Sequence, residues 1–284
     1  MVEIIQQGLY TSVQDLGRFD YQEYGVPLSG ALDQQAFRMG NQLLNNPIKA
    51  AALECSIKGP KVHFHQETSI VLTGAEMQAQ LNNTPIKNYI PTKVMEGDVL
   101  NLGTALKGCR TYLNIAGGFK TEKVLGSRSQ YKGITKEERI NKKILLPIGT
   151  SSIDPKKGAH IQPPNFDYKK PTLEVYAGPE YYLLKKDQKN QLLEQPLSLS
   201  ELNNRMAFRL KEKLSHNLPQ IWTAPVLPGT LKCTPDGTLI ILMRDAQVTG
   251  GYPRLFQLTD DALDLLAQKT TRAEIRFKLL PALE

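Results

Sequence analysis

Short strand-like runs, and not helical repeats, dominate this chain of 284 residues. The runs alternate apolar and polar residues or are rich in β-branched residues, and Gly, Pro or Asn separates one from the next. Many short strands at such spacing favour closed or nearly closed β architectures. The runs are Lys61–His65, Ser69–Thr73, Gln78–Leu81, Asp98–Leu102, Arg110–Ile115, Leu173–Tyr176, Met206–Leu210, Gly229–Cys233, Thr238–Met243 and Glu274–Leu279.

Turn and helix signals complete this mainly β pattern. Asp236-Gly237 predicts a hairpin turn, because both residues accept a positive φ. Asp33 can cap a helix that runs to about residue 44 along an apolar stripe. A second helix is predicted through Tyr181–Leu193, since a proline precedes it. Thr259, followed by two aspartates, predicts the start of a third.

Length and composition predict a two-domain globular protein. The segment 151–171 is rich in Pro and Lys and suits a linker between an N-terminal domain, 1–150, and a C-terminal domain, 172–284. The chain shows neither an apolar run of about 20 residues nor the features of a signal peptide, so we expect a cytoplasmic protein that is not bound to a membrane. The net charge is +7, but the basic residues are scattered without interleaved aromatics. This pattern predicts an anionic substrate or an acidic partner and not a nucleic acid.

Three clusters of glycines and polar residues carry the functional signal. They lie in Gly8–Asp33, in Leu125–Ser129 and in Gln247–Arg254. Backbone amides beside glycines, with Arg and hydroxyl groups nearby, suit a carboxylate, carbamate or phosphate oxygen. One such cluster is usually turn chemistry, whereas three on a β scaffold indicate function, and we expect them to meet in one cleft. The predicted catalytic residues are Asp15, Arg18 and Arg128, and the predicted substrate-binding residues are Gln14, Ser29, Gly30, Ser129, Gln247, Thr249, Gly250, Gly251 and Tyr252.

Other chemistries find less support. No P-loop, GxSxG, HExxH or GxGxxG motif occurs. His63 and His65 share one face of a strand, but the sequence shows no third ligand nearby, so we expect no metal site. The three cysteines are far apart and are expected to be buried free thiols. Glu54 and Asp245 are further acid–base candidates, with a structural role beside an arginine as the alternative for each carboxylate.

A series of short strings identifies a family. TSVQDLGR, GVPLSGALD, AALE, VLTGA, TYLNIAGG, LGSRS, NNRMAFRL, PGTLKCTPDG and TGGYPR occur in the order seen in KipA-like proteins. From Glu3 to Phe277 the chain resembles the biotin-dependent carboxyltransferase family, also called the allophanate hydrolase subunit 2 family or, after a component of 5-oxoprolinase, the PxpC family. It departs at Ala207 and Val248, where Gly and Thr are usual, and QYKGITKEERINKK replaces a Gly-rich stretch after LGSRS.

The resemblance implies two cyclophilin-like β-barrel domains and an enzyme subunit that works with partners. A KipI-like (PxpB) and a LamB/YcsF-like (PxpA) subunit would complete an ATP-dependent 5-oxoprolinase that converts 5-oxo-L-proline to L-glutamate, with ATP shared among subunits. Arg18, Arg128 and Gln247 would then stabilise developing charge, with Asp15 orienting Arg18. One alternative is the carboxyltransferase component of a urea-type carboxylase; because no AMKM-like segment is present, biotin would come in trans. The other is a KipA-like protein that sequesters a KipI-like kinase inhibitor.

Overall fold

The structure, a computed structural model, describes residues 1–150 and 167–281. Contacts along the chain divide it into a first unit, Met1–Arg18 with Ser29–Tyr168, and a second unit, Phe19–Leu28 with Lys169–Glu284. The predicted N-terminal domain, 1–150, was continuous and included Phe19–Leu28, which the contacts assign to the second unit. Most of the predicted linker, 151–171, lies outside the described residues. The predicted domain limits therefore stay a prediction.

The first unit is built from two antiparallel sheets. A six-stranded sheet has the order β11-β1-β4-β9-β6-β7, and a five-stranded sheet has the order β2-β3-β10-β5-β8. Their strands are β1 Val2–Gln6, β2 Tyr10–Gln14, β3 Ala52–Ser56, β4 Lys61–Phe64, β5 Thr68–Met77, β6 Gln80–Leu81, β7 Thr84–Pro85, β8 Thr92–Val94, β9 Val99–Asn101, β10 Ala105–Ile115 and β11 Ile144–Leu146.

The core of the first unit takes side chains from both sheets. Val2 and Ile4 of β1 are buried on one face of their strand, while the intervening Glu3 is partly exposed. Such alternation follows from the two-residue period of a strand. Leu53 of β3 and Leu113 of β10 belong to the same apolar cluster. Burial of this shared face holds the two sheets together.

Helix α1, Gln34–Leu43, packs against the five-stranded sheet through the cluster of Ala36, Phe37 and Tyr112. The ring centroids of Phe37 and Tyr112 lie 6.0 Å apart in an edge-on arrangement. The carboxylate of Asp33 accepts a hydrogen bond from Ala36 N at 2.9 Å. The predicted N-cap is therefore confirmed.

The second unit contains a seven-stranded sheet that nearly closes on itself. Its order is β13-β20-β12-β19-β16-β17-β14, and a bridge between Leu199 and Leu210 connects the ends of the order. β15 and β18 form a separate pair. The strands are β12 Thr172–Ala177, β13 Leu197–Ser198, β14 Ala207–Lys213, β15 Ala224–Pro225, β16 Thr230–Cys233, β17 Thr238–Leu242, β18 Thr249–Gly250, β19 Arg254–Leu258 and β20 Glu274–Leu279. The predicted mainly β, barrel-type fold class is confirmed.

The helices of the second unit follow the sequence signals in part. Helix α3, Asp260–Ala267, begins after Thr259, whose hydroxyl accepts from Ala262 N, as predicted. The predicted continuous helix through Tyr181–Leu193 is wrong. A 3₁₀ turn covers Tyr181–Leu183, and helix α2, Lys186–Glu194, starts only after an extended Lys185. Leu184, which lies between them, is also extended, with φ −73° and ψ 133°, so the helix is interrupted there.

The predicted hairpin joins β16 and β17, but with a longer turn than a two-residue loop. Cys233 ends one strand and Thr238 begins the next, so four residues form the connection. Gly237 has φ +81°, whereas Asp236 does not adopt a positive φ. The side chain of Asp236 instead accepts hydrogen bonds from the hydroxyls of Thr234 and Thr238.

The three cysteines are buried and none of them forms a disulfide, as predicted. Burial raises the pKa of Cys55 and of Cys233 to about 12, so both stay thiols at neutral pH. Within the described residues, no helix is both long and apolar enough to cross a membrane.

Substitutions of two glycines in the second unit, Gly178 and Gly250, test how closely its chain segments pack. A Cβ added to Gly178 would lie 2.3 Å from the backbone oxygen of Arg254, which cannot swing aside as a side chain can. At Gly250 the nearest heavy atom would be Val226 Cγ1 at 3.7 Å. We expect Gly178→Ala to lower the free energy of unfolding by about 1–3 kcal/mol. Gly250→Ala should change it by less than about 0.5 kcal/mol. Urea denaturation compares the two, and equal losses would contradict this account.

Candidate functional site

The carboxylate of Asp15 connects the first and second clusters. Asp15 follows β2 directly, and its Oδ1 accepts hydrogen bonds from Ser127 Oγ at 2.6 Å, Ser129 Oγ at 2.7 Å and Gly17 N at 2.9 Å. Its Oδ2 accepts from Arg128 N at 2.7 Å. The structure thus brings together two clusters that lie more than a hundred residues apart in the sequence.

These bonds define what Asp15 can do. Of the four donors, three lie on Oδ1 and one lies on Oδ2, so Oδ2 keeps one further acceptor site. The side chain is also buried. Asp15 therefore holds the loop Leu125–Ser129 in place through its bonds to Ser127, Arg128 and Ser129. The sequence prediction gave it a catalytic role through orientation of Arg18.

The two predicted catalytic arginines differ in their surroundings. Arg18 is fully buried, and its Nη2 donates a hydrogen bond to the backbone oxygen of Ser129. Arg128 is partly exposed, and its guanidinium makes no hydrogen bond or ion pair with the described part of the chain. Arg18 thus supports the loop, while Arg128 offers a cation to an anionic ligand.

The segment from Ser29 to Asp33 packs against the same region. Ala31 N donates to the backbone oxygen of Asp15 at 2.9 Å. Gly30 has φ +93°, and an added Cβ would lie 2.8 Å from the backbone carbon of Leu16. A glycine is therefore required for both its conformation and its close approach.

Ser29 and Gln14 of the first cluster each have a buried polar atom without a hydrogen-bond partner in residues 1–150 and 167–281. Ser29 has φ +58°, and its Oγ is fully buried. Gln14 donates through Nε2 to Ser12 Oγ at 2.9 Å, while its Oε1 accepts nothing. Buried polar atoms are normally paired, so each such atom is a candidate contact for a ligand.

Glu54 and Tyr112 form a network that positions the start of helix α1. Glu54 Oε2 accepts from Leu32 N and from Tyr112 Oη, both at 2.8 Å, and Tyr112 Oη accepts from Asp33 N at 2.8 Å. Burial raises the pKa of Tyr112, and the charges of Glu54 and Asp33 raise it further, so the phenol stays protonated and donates. Arg110 Nε lies 3.8 Å from Glu54 Oε1. Glu54 is thus a structural carboxylate.

Sequence reasoning did not select Tyr112. Its pairing with Glu54 follows from the register of β10 against β3, where the two residues lie directly opposite. A tyrosine within the predicted strand Arg110–Ile115 was the available signal, since a buried phenol requires a partner.

The third cluster lies in the second unit. Thr249 and Gly250 form β18, which pairs with β15, and the backbone oxygen of Gly251 accepts from Ile221 N at 3.1 Å. Thr249 is exposed and Gln247 is partly exposed. The cluster is therefore a supported loop with accessible polar side chains.

Lys232 and Tyr252 add a cation to the third cluster. Lys232 Nζ lies 5.5 Å from the ring centroid of Tyr252. Lys232 is buried in β16, and burial lowers its pKa. Arg254 holds the following strand by three hydrogen bonds to Glu180. Sequence reasoning missed Lys232, although a lysine between apolar strand residues in TLKC was a visible signal.

Asp245 also has a structural partner. Its two carboxylate oxygens accept from Arg205 Nε at 2.9 Å and Nη2 at 3.1 Å, and both side chains are buried. This bidentate pair is the structural alternative that the sequence left open for Asp245.

Substitution of Asp15 tests its structural role. In Asp15→Asn, an amide nitrogen would face one of the donors that the carboxylate now accepts. We expect the free energy of unfolding to fall by about 1–3 kcal/mol. The amide of Arg128 should exchange its hydrogen faster, because it loses its acceptor. Asp20→Asn is the matched control, since Asp20 is exposed, and it should change stability by less than about 0.5 kcal/mol. Unchanged exchange at Arg128 in Asp15→Asn would refute this role.

Some known proteins are similar to nearly the whole chain, and others are similar to about half of it. The C subunit of 5-oxoprolinase from Escherichia coli (strain K12) is 32% identical over 291 residues, covering 98% of this chain and 90% of that protein. Urea amidolyase of Lachancea kluyveri is 43% identical over 130 residues, covering 45% of this chain and 7% of that protein.

The crystal structure of Kluyveromyces lactis urea carboxylase has a TM-score of 0.87 and 28% identity, covering 99% of this chain and 27% of that chain. This chain thus spans about a quarter of that enzyme. The family model described as carboxyltransferase domain, subdomain A and B, matches residues 24–279. With most of its length matched, the chain belongs to the carboxyltransferase domain family.

Proposed function

We propose that the chain is a subunit of an ATP-dependent 5-oxoprolinase that hydrolyses 5-oxo-L-proline to L-glutamate. The observation that carries this proposal is the match to the 5-oxoprolinase component of Escherichia coli, which extends over 98% of this chain and 90% of that protein. The match to urea amidolyase is locally higher in identity but covers 45% of this chain.

The chemistry of 5-oxo-L-proline requires groups that stabilise negative charge, such as cationic side chains and backbone amides, more than it requires a general base. A lactam is an unreactive amide, and phosphorylation of its oxygen by ATP would provide the leaving group that hydrolysis needs. The substrate also carries a carboxylate. The partly exposed guanidinium of Arg128 suits that carboxylate, because Arg can bind it through two parallel hydrogen bonds.

The neighbouring residues would position this contact. Asp15 and Arg18 hold the loop that carries Arg128, through the backbone and hydroxyl groups described above. Ser29 Oγ and Gln14 Oε1 are the buried polar atoms left to bind a polar substrate group. In the second unit, Lys232 is a further candidate for stabilising negative charge, beside the predicted substrate-binding residues of the third cluster.

Partner subunits would complete the reaction in the cytoplasm. The sequence contains no P-loop, so this protein would contribute only part of the ATP site. We propose a KipI-like (PxpB) and a LamB/YcsF-like (PxpA) protein as the partners. The Escherichia coli relative is named as one of several 5-oxoprolinase subunits, which supports a multi-subunit enzyme.

A second candidate is carboxyl transfer in a urea-type carboxylase. The likeness to urea carboxylase over 99% of this chain favours it. The cations that would bind a carboxylate could also bind a carbamate. Biotin would then arrive on a separate carrier protein, because the chain has no AMKM-like segment.

Reconstitution separates the two candidates. The purified chain mixed with both partner subunits, ATP and 5-oxo-L-proline should release glutamate and ADP in equal amounts, and omission of the chain should abolish the release. The parallel assay contains biotin carboxylase, carboxylated carrier and urea. Carboxyl transfer to urea in the second assay, together with no glutamate release in the oxoprolinase assay, would contradict the oxoprolinase proposal and support the carboxyltransferase candidate. Complex formation without turnover in either assay would favour a KipA-like binding protein.

Arg128→Ala tests the proposed substrate contact. Loss of a charged hydrogen-bonding group should raise the KM for 5-oxo-L-proline by about 10- to 100-fold. Complex formation with the partners should persist. Arg139→Ala is the matched control, since Arg139 is exposed outside the clusters, and it should leave the KM unchanged. An unchanged KM in Arg128→Ala would exclude this contact.

A further inference from the structure

Two neighbouring strands of the first unit bring three ligand-type side chains together away from the loops described above. Glu3 of β1 lies directly opposite His63 of β4 in the antiparallel register. His65 follows two residues after His63 and so lies on the same face. Glu3 Oε2 is 3.1 Å from His65 Nε2 and 4.0 Å from His63 Nδ1.

This face is directed away from the core. The residues that alternate with the cluster, Val2 and Ile4 of β1 and Phe64 of β4, are buried in the apolar core of the unit. The side chains of Glu3, His63 and His65 are 31%, 29% and 40% exposed, respectively. A cation from solvent can therefore reach all three.

The three side chains are close enough together to share one metal ion. One ligand atom from each residue lies within 4.8 Å of the others. In a tetrahedral site with bonds of about 2.0–2.1 Å, ligand atoms lie about 3.3 Å apart. The shortest separation already meets this value. Rotation of the partly exposed imidazoles would shorten the others without moving either strand.

The donor set indicates the kind of metal. Two imidazole nitrogens and one carboxylate oxygen suit Zn²⁺ and the neighbouring first-row divalent ions, and are a poor match for Ca²⁺ or Mg²⁺, which prefer oxygen ligands. Three protein ligands also leave a coordination position for water. Lys61 lies on the same face two residues before His63, and its positive charge opposes the binding of a cation.

We propose that Glu3, His63 and His65 form a binding site for a divalent transition-metal cation, with Zn²⁺ as the natural occupant, on the solvent face of the six-stranded sheet. Binding replaces the contact between His65 and Glu3 and connects β1 to β4 through the metal. The site is independent of the proposed oxoprolinase chemistry, since none of its residues belongs to the three clusters.

Metal binding is measured with the full-length, untagged protein after removal of metals with EDTA. Isothermal titration with ZnCl₂ should give one equivalent bound with a micromolar Kd. Titration with CoCl₂ should produce the intense visible absorption of low-symmetry, tetrahedral Co²⁺. Zn²⁺ should also raise the midpoint of thermal unfolding, because it binds the folded state in preference to the unfolded one.

Variants locate the metal. Glu3→Gln, His63→Gln and His65→Gln should each weaken Zn²⁺ binding at least about tenfold, and the double variant His63→Gln/His65→Gln should lose it. Glu67→Gln and His216→Gln are matched controls. Glu67 pairs with Lys93 on the surface, and His216 lies in the second unit, hydrogen-bonded to Thr234 O. Both controls should bind Zn²⁺ as the unsubstituted protein does.

Two results would overturn the proposal. One is equal Zn²⁺ affinity in the unsubstituted protein and in the folded double variant, with folding checked by circular dichroism, because the metal would then occupy another place. The other is no binding of Zn²⁺ or Co²⁺ up to millimolar concentration. Both results leave the oxoprolinase proposal unaffected, since glutamate release is assayed separately.

Discussion

The hydrogen bonds of Asp15 are the constraint on which the first candidate site depends. Through its carboxylate, Asp15 holds Ser127, Arg128 and Ser129, and through its backbone oxygen it holds Ala31. One residue thus holds two separate chain segments beside the end of β2. Hydrogen bonds to a charged group contribute about 1.5–3 kcal/mol each, roughly twice the neutral value. The position of the Arg128 side chain follows from this arrangement.

The buried carboxylates of the protein share this structural role. Glu54 accepts from a tyrosine and a backbone amide, and Asp245 accepts both bonds from Arg205. A buried charge left without such partners would be costly, so the chain supplies donors for each one. Asp15, Glu54 and Asp245 therefore each have donors from within the protein. Within the described residues, Arg128 has a guanidinium without a protein partner, Ser29 Oγ can donate or accept a hydrogen bond, and Gln14 Oε1 can only accept one.

Local signals in the sequence predicted much of the fold. Alternating runs identified strands such as β4, β10 and β17, and the caps Asp33 and Thr259 marked helices α1 and α3. Each of these signals acts within a few residues. The prediction of one continuous helix through Tyr181–Leu193 failed, because the backbone is extended at Leu184 and Lys185 and tertiary context overrides local propensity. The sequence also identified the three polar clusters, but it did not predict the hydrogen-bond partners of their residues.

By itself, the sequence determined the fold class, the family and the identity of the polar clusters, because these rest on short-range patterns and on strings of adjacent residues. Only the tertiary structure decided that Asp15 meets Ser127, that Tyr112 meets Glu54 and that Glu3 meets His63. Strand register and loop packing create such contacts between residues far apart in the chain. They depend on how whole strands bury their apolar faces, and no local pattern encodes that choice.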